Sequence, residues 1–145
     1  MWYKSTGRLI YDPHRGDMKK KTDWWAILNV DREITRYYRW WIEHNPVHFG
    51  MTHIDIKKPS WDAHVSVFRG EKPNDEHMHL WKKYHNQIFE FEYSGMVRQS
   101  GDTTGFDRPD HYFFVEVRCP KLLAIREEMN RPTNWSLHLT VGRIY

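Results

Sequence analysis

The chain has 145 residues, 39% of them hydrophobic and 28% charged, and a formal net charge of +3, which fits a single domain over residues 1–145 able to bury a core without metal or disulfide staples. The balance of 22 basic against 19 acidic residues is too even for a protein that coats nucleic acid in bulk, while the small excess favours anionic partners. A single cysteine, Cys119, excludes an intramolecular disulfide, no apolar run approaches a membrane span, and the polar opening MWYKSTGRLIYDPHRGD is unlike a signal peptide.

These features predict a cytoplasmic protein with no membrane partner. Eight Trp, eight Tyr and seven Phe exceed average usage. Such flat side chains either fill the core or line a site that takes flat ligands.

Residues 1 to 22 read as irregular, with Gly7, Pro13 and Gly16 as breakers, and the run Lys19, Lys20, Lys21 reads as a solvated segment. DWWAILNV, 23 to 30, is short, apolar and aromatic, as a buried strand would be. Asp31 then caps a helix over DREITRYYRWWIEHN, whose predicted inner face is Ile34, Tyr37, Tyr38, Trp41 and Ile42; Pro46 ends it. FGMTHIDIKK, 49 to 58, reads as a strand.

WDAHVSVFR follows at 61 to 69. PNDEHMHLWKKYHNQ, 73 to 87, reads as a polar helix after Pro73, IFEFEYSGMVRQ as a strand, and residues 100 to 110, SGDTTGFDRPD, as an exposed loop able to close over a ligand. HYFFVEVRC is a strand and Pro120 opens the helix PKLLAIREEMN. The chain then closes with WSLHLTVGR, 135 to 143.

The first and last of these stretches are one pattern, W-x-x-H-x-[ST]-V-x-R, written twice. Of ten histidines only His64 and His138 begin an H-x-[ST] triplet. Each repeat also ends a strand–helix–strand order, over 23 to 69 and 111 to 143, which points to internal duplication and to two repeat strands sharing a groove.

Strand alternation sends His64 and Ser66 to one face and Ala63, Val65 and Val67 to the other; His138 and Thr140 repeat this against Leu137, Leu139 and Val141. Trp61 and Trp135 share the apolar parity and are expected in the core. Arg69 and Arg143 stand at odd parity to the histidines, so they reach the groove only if the strand bends or ends near Phe68 and Gly142.

Two imidazoles across a groove supply an acid and a base near neutral pH, and two hydroxyls supply donors for phosphate oxygens. That set suffices to cleave a phosphodiester beside a ribose 2′-hydroxyl. The bland alternative is a pair of buried, hydrogen-bonded histidines.

The doubled apolar-His-apolar-[ST]-apolar pattern, each copy on a strand closing one half of the chain, resembles the 2H phosphoesterase superfamily. The resemblance implies an α+β, bilobal fold of two pseudo-symmetric lobes around a central cleft, metal-independent phosphodiester cleavage without a cofactor, and catalytic roles for His64, Ser66, His138 and Thr140. Ser66 stands where Thr is commoner and keeps the donor. Arg143, mirrored by Arg69, stands where the family often has a basic residue.

Compactness and aromatic richness look most like the phage members that destroy cyclic oligonucleotide signals of the bacterial CBASS defence. This implies cyclic di- or trinucleotide cleavage by 2′-hydroxyl attack in a host cytoplasm, with no obligate protein partner, and Trp24 or Trp25 stacking on a base. Two other readings are RNA 2′,3′-cyclic phosphate or 2′-5′ RNA processing, and a non-catalytic nucleotide-binding module. A metal site on His77, His79 and His85 fits a helix poorly, and Pro46 breaks the helix that His44 and His48 would need.

Overall fold

The computed structural model describes residues 1–14, 22–100, 111–134 and 136–144. The Lys19 to Lys21 run, Gly16, Trp135 and the loop from 101 to 110 lie outside them.

The architecture is α+β, with seven antiparallel strands and two α-helices among the described residues. The elements are β1 (Trp2–Tyr11), β2 (Ala26–Asn29), α1 (Arg32–His44), β3 (His64–Phe68), β4 (Ile88–Ser94), β5 (Arg98–Ser100), β6 (His111–Arg118), α2 (Pro120–Glu128) and β7 (His138–Ile144). The sheet order is β4-β1-β2-β3-β7-β6-β5, and a further β4–β6 pairing, Glu92 with Arg118 and Tyr93 with Val117, closes it into a barrel. Closure removes the unpaired edges that a flat sheet of this size would expose.

β1 contradicts the irregular reading of the opening residues. Burial at Gly7, Leu9 and Tyr11 follows period two, and Gly7 is a close-approach residue rather than a breaker. A Cβ there would lie 2.6 Å from the Asn29 carbonyl oxygen and 2.7 Å from Leu28 Cγ, so a glycine is what lets β1 sit between β2 and β4.

IFEFEYSGMVRQ is strand, as expected, but divided in two. β4 and β5 run along β6 in succession, interrupted between Ser94 and Arg98. The polar helix expected at 73 to 87 is instead a series of turns around a short 3₁₀ segment, Met78–Leu80. FGMTHIDIKK is irregular too, apart from a bridge between Lys57 and Arg143. A strand at 49 to 58 would need a neighbour to satisfy its backbone groups along its length, and only Lys57 has one.

Asp31 does cap α1, its side chain accepting from the Glu33 N–H at 2.9 Å, and Pro46 follows the helix end. Of the expected inner face, Tyr38 and Ile42 are buried and Ile34 and Trp41 pack against the core, whereas Tyr37 is 57% exposed and Thr35 is buried in addition. Thr35 and Arg39 turn inward because both bind Asp62, the hydroxyl at 3.0 Å and the guanidinium at 3.3 Å.

Each half has the order strand, helix, strand: β2, α1, β3 and then β6, α2, β7. The helices cross over, α1 packing on β7 and α2 on β3. Val65, Val67, Leu139 and Val141 of the repeat strands are fully buried with Leu9, Leu28, Phe91 and Phe113. No helix among the described residues is long and apolar enough to cross a membrane.

Candidate active site

β3 and β7 are neighbours, paired at Val65 and Leu139. Extended by one residue each way, that register sets His64 opposite Thr140 and Ser66 opposite His138 on the face away from the core. Diagonal cross-strand positions lie roughly 7–8 Å apart, a span that a phosphate group fills. Beyond this point the end of β7 pairs with Lys57, whose N–H donates to the Arg143 carbonyl and whose carbonyl accepts from the Arg143 N–H, both at 2.8 Å.

A cleft of about 240 Å³ opens over this face. His64, Ser66, His138 and Thr140 all line it, and so do Arg69 and Arg143. Among the described residues lining it there is no carboxylate.

The arginines reach the cleft by a device present in both copies. On β2 and β3, Ile27 opposes Ser66 while the adjacent Ala26 opposes Phe68, so Val67 is an extra residue in β3. On β6 and β7, Phe114 opposes Thr140 while Phe113 opposes Gly142, so Val141 is the extra residue in β7. A bulge of this kind reverses the alternation beyond it and re-aims the following side chains. The valine three residues after each histidine is therefore the bulge, and it brings the arginine five residues after each histidine back to the histidine face.

Gly142 permits the second bulge to press on its neighbours, since a Cβ there would clash with Ile56. Val67, Phe68, Val141 and Gly142 are all buried, as the reversal requires.

Two aromatic expectations need correction. Trp61 is not core: it lines the cleft and stacks on the His64 ring, with centroids 4.3 Å apart and planes at 28°. The cause is Ala63, at φ 58°, a left-handed conformation that ends the strand alternation just before His64. Of the two candidate tryptophans, Trp25 lines the cleft beside Trp61, with ring centroids 5.6 Å apart. Trp24 is not among the lining residues. At φ 64° in the turn before β2, it packs on Trp81, and its backbone N–H donates to the Asp12 carboxylate at 2.8 Å.

Tyr112, a lining residue that sequence reasoning missed, comes from β6, which lies beyond β7 and so on the other side of the β3–β7 pair from β2. Alternation in HYFFVEVRC separates Phe113, Val115 and Val117 from Tyr112, Phe114 and Glu116, but only the β6–β7 register assigns the second set to the cleft side.

His138 has a definite electrostatic setting. Arg69 Nη2 donates to its Nε2 at 3.3 Å, while Nδ1 faces the Ser136 carbonyl at 3.4 Å. Because a guanidinium can only donate, Nε2 is the acceptor and the proton of the neutral ring belongs on Nδ1. Burial and then the Arg69 charge push the His138 pKa below its usual value, partly offset by the Ser136 carbonyl. Arg69→Gln should accordingly raise the His138 pKa, while burial keeps it under the ordinary value. Histidine-selective NMR titration of the native and variant proteins reads this directly; an unchanged or lower value would refute the contact.

His77 and His85, considered earlier as metal ligands, are engaged separately, His77 with Asn74 and His85 as acceptor from the Tyr11 N–H. No group of three His, Cys, Asp or Glu side chains that could hold a metal ion occurs among the described residues. No protein-family model, no curated protein and no solved structure matches the chain.

Proposed function

We propose that the protein is a phosphodiesterase of the 2H type, cleaving a 3′-5′ phosphodiester through attack by the neighbouring ribose 2′-hydroxyl. The observation that carries this reading is the convergence of two imidazoles, two hydroxyls and two guanidiniums on one cleft with no lining carboxylate among the described residues. Such a surface favours a phosphoryl group and repels little of its charge. The 2H-like lobed arrangement is supported by the strand–helix–strand order in both halves and by the pairing of β3 with β7.

His138, neutral with its proton on Nδ1, is the base once the substrate phosphate draws the Arg69 guanidinium off Nε2 and leaves that lone pair for the 2′-hydroxyl. It takes the 2′-hydroxyl proton as the 2′-oxygen bonds to phosphorus. The bond from phosphorus to the 5′-oxygen breaks, and protonated His64 gives that oxygen its proton. The products are a 2′,3′-cyclic phosphate end and a 5′-hydroxyl end. Ser66, Thr140, Arg69 and Arg143 hold the non-bridging oxygens, whose negative charge grows in the transition state.

For the base role His138 must be neutral. Its lowered pKa therefore extends activity to lower pH than an ordinary histidine allows, and Arg69→Gln moves the acid limb of the kcat/KM profile upward.

Trp25 and Trp61, ahead of β2 and β3, and Tyr112 of β6 support a substrate with a base on either side of the scissile phosphate, such as a cyclic di- or trinucleotide. The test is incubation with a panel of cyclic oligonucleotides and with RNA bearing 2′,3′-cyclic phosphate ends, in strong chelator, followed by product analysis. Linear products with 2′,3′-cyclic or 3′-phosphate ends support the reading. Hydrolysis of the RNA ends alone would move the substrate to RNA, with water as nucleophile; binding without turnover would reduce the protein to a nucleotide-binding module; loss of all activity in chelator would overturn the metal-free mechanism.

A further inference from the structure

Arg126 is the one large cation buried to 1% exposure among the described residues, and its two terminal nitrogens serve the end of β3 and the turn that follows it. Nη1 donates to the carbonyl of Val67, the bulged residue of β3, at 2.7 Å, and Nε donates to the Pro132 carbonyl at 2.9 Å. Both terminal nitrogens also grip Glu71, at 2.9 and 3.1 Å, and Glu71 in turn accepts from the Arg69 N–H at 3.1 Å. A fork clamped bidentately in this way has little freedom to move.

The other half repeats the contact. Arg39 of α1 donates to the carbonyl of Val141, the bulged residue of β7, at 2.9 Å and pairs with Asp62 at 3.3 Å. The same chemistry, an arginine with a carboxylate seated on the bulge carbonyl and delivered by the helix of the opposite half, thus occurs twice in unrelated local sequence.

We propose that Arg126 is a positioning residue: with Glu71 it holds the Val67 bulge in the one conformation that aims the Arg69 guanidinium at His138 Nε2. Buried charge pairs are poor sources of net stability, because desolvation offsets their attraction, and in some proteins their role is instead to select one geometry. A bulge left to itself has a neighbouring alternative, regular alternation, that would turn Arg69 away from the cleft. The inference rests on the phosphodiesterase reading only for its consequence in catalysis; the geometric claim stands apart from it.

The experiment therefore follows the His138 titration by NMR, which needs no substrate. The charged and titratable groups around that ring are Arg69 and His64 from β3, Glu116 opposite it on β6, itself paired with Arg98 of β5 at 3.1 Å, Tyr112 of the same strand, and Arg143 further along β7. Arg126→Lys and Glu71→Asp each conserve charge, so a shift they cause reports a moved Arg69 rather than an altered field.

Both variants are expected to raise the His138 pKa in the direction of Arg69→Gln, and neither should raise it further when combined with Arg69→Gln. Folded variants with an unchanged His138 titration would overturn the proposal, and so would an Arg69→Gln protein whose His138 does not shift. Loss of the fold in both charge-conserving variants would assign Arg126 to core stability alone and equally defeat a positioning role. A protein that cleaves no phosphodiester but shows the expected shifts would sink the enzymatic reading and leave this one standing.

Discussion

His138→Ala is expected to lower kcat on the cleaved cyclic oligonucleotide by about 10²–10⁴-fold, the usual contribution of a positioned proton-transfer group, with ligand affinity largely kept. His64→Ala should do the same, and the double variant should fall well short of the product of the two effects, because both act on one proton path. Ser66→Ala or Thr140→Ala removes a donor to the transition-state oxygens and should cost on the order of 10²-fold. Turnover assays beside calorimetric binding separate the two quantities. Retained turnover in either histidine variant would end the acid–base mechanism, whereas parallel loss of binding and turnover would point to a disrupted cleft.

The second large effect is expected at Gly142. Gly142→Ala forces a methyl into Ile56, coming within 2.6 Å of Cγ1 and 3.2 Å of the Lys57 carbonyl oxygen, so stability should fall by about 1–3 kcal/mol, the usual range for overpacking. The Lys57–Arg143 bridge and the β7 bulge lie within one residue of the clash. Arg143 should therefore lose its aim, and kcat should drop in the protein that remains folded. Ile56→Ala removes the clashing atoms, so the double variant should be less destabilised than the two single losses added together. Additive losses in urea denaturation would show that the close approach is not what selects glycine here.

The repeat makes the chemistry of the site readable in one dimension. His64, Ser66, His138 and Thr140 are legible because a strand has period two whatever it pairs with, and all four line the cleft. The buried stripe of Val65, Val67, Leu139 and Val141 is legible for the same reason. The Asp31 cap and the Pro120 helix start are legible because capping is a property of one or two residues.

What fails is whatever depends on a remote neighbour. β1 is a strand because β2 and β4 flank it, and Gly7 looks like a breaker until the Asn29 carbonyl is found against it. Trp61 carries the parity of the core in its spacing, but Ala63 at φ 58° cancels that parity. Tyr112 belongs to the cleft only through the register of β6 on β7.

By itself, then, the order of residues determined which polar side chains of the repeat face the cleft and which apolar ones anchor them, since those assignments follow from local periodicity and side-chain type. Only the tertiary structure decided where the two arginines point. Their parity along an ideal strand is wrong for the cleft, and the bulges that reverse it exist between strands: they are defined by a partner's register and are gripped by Arg126 and Arg39 arriving from the opposite half of the chain.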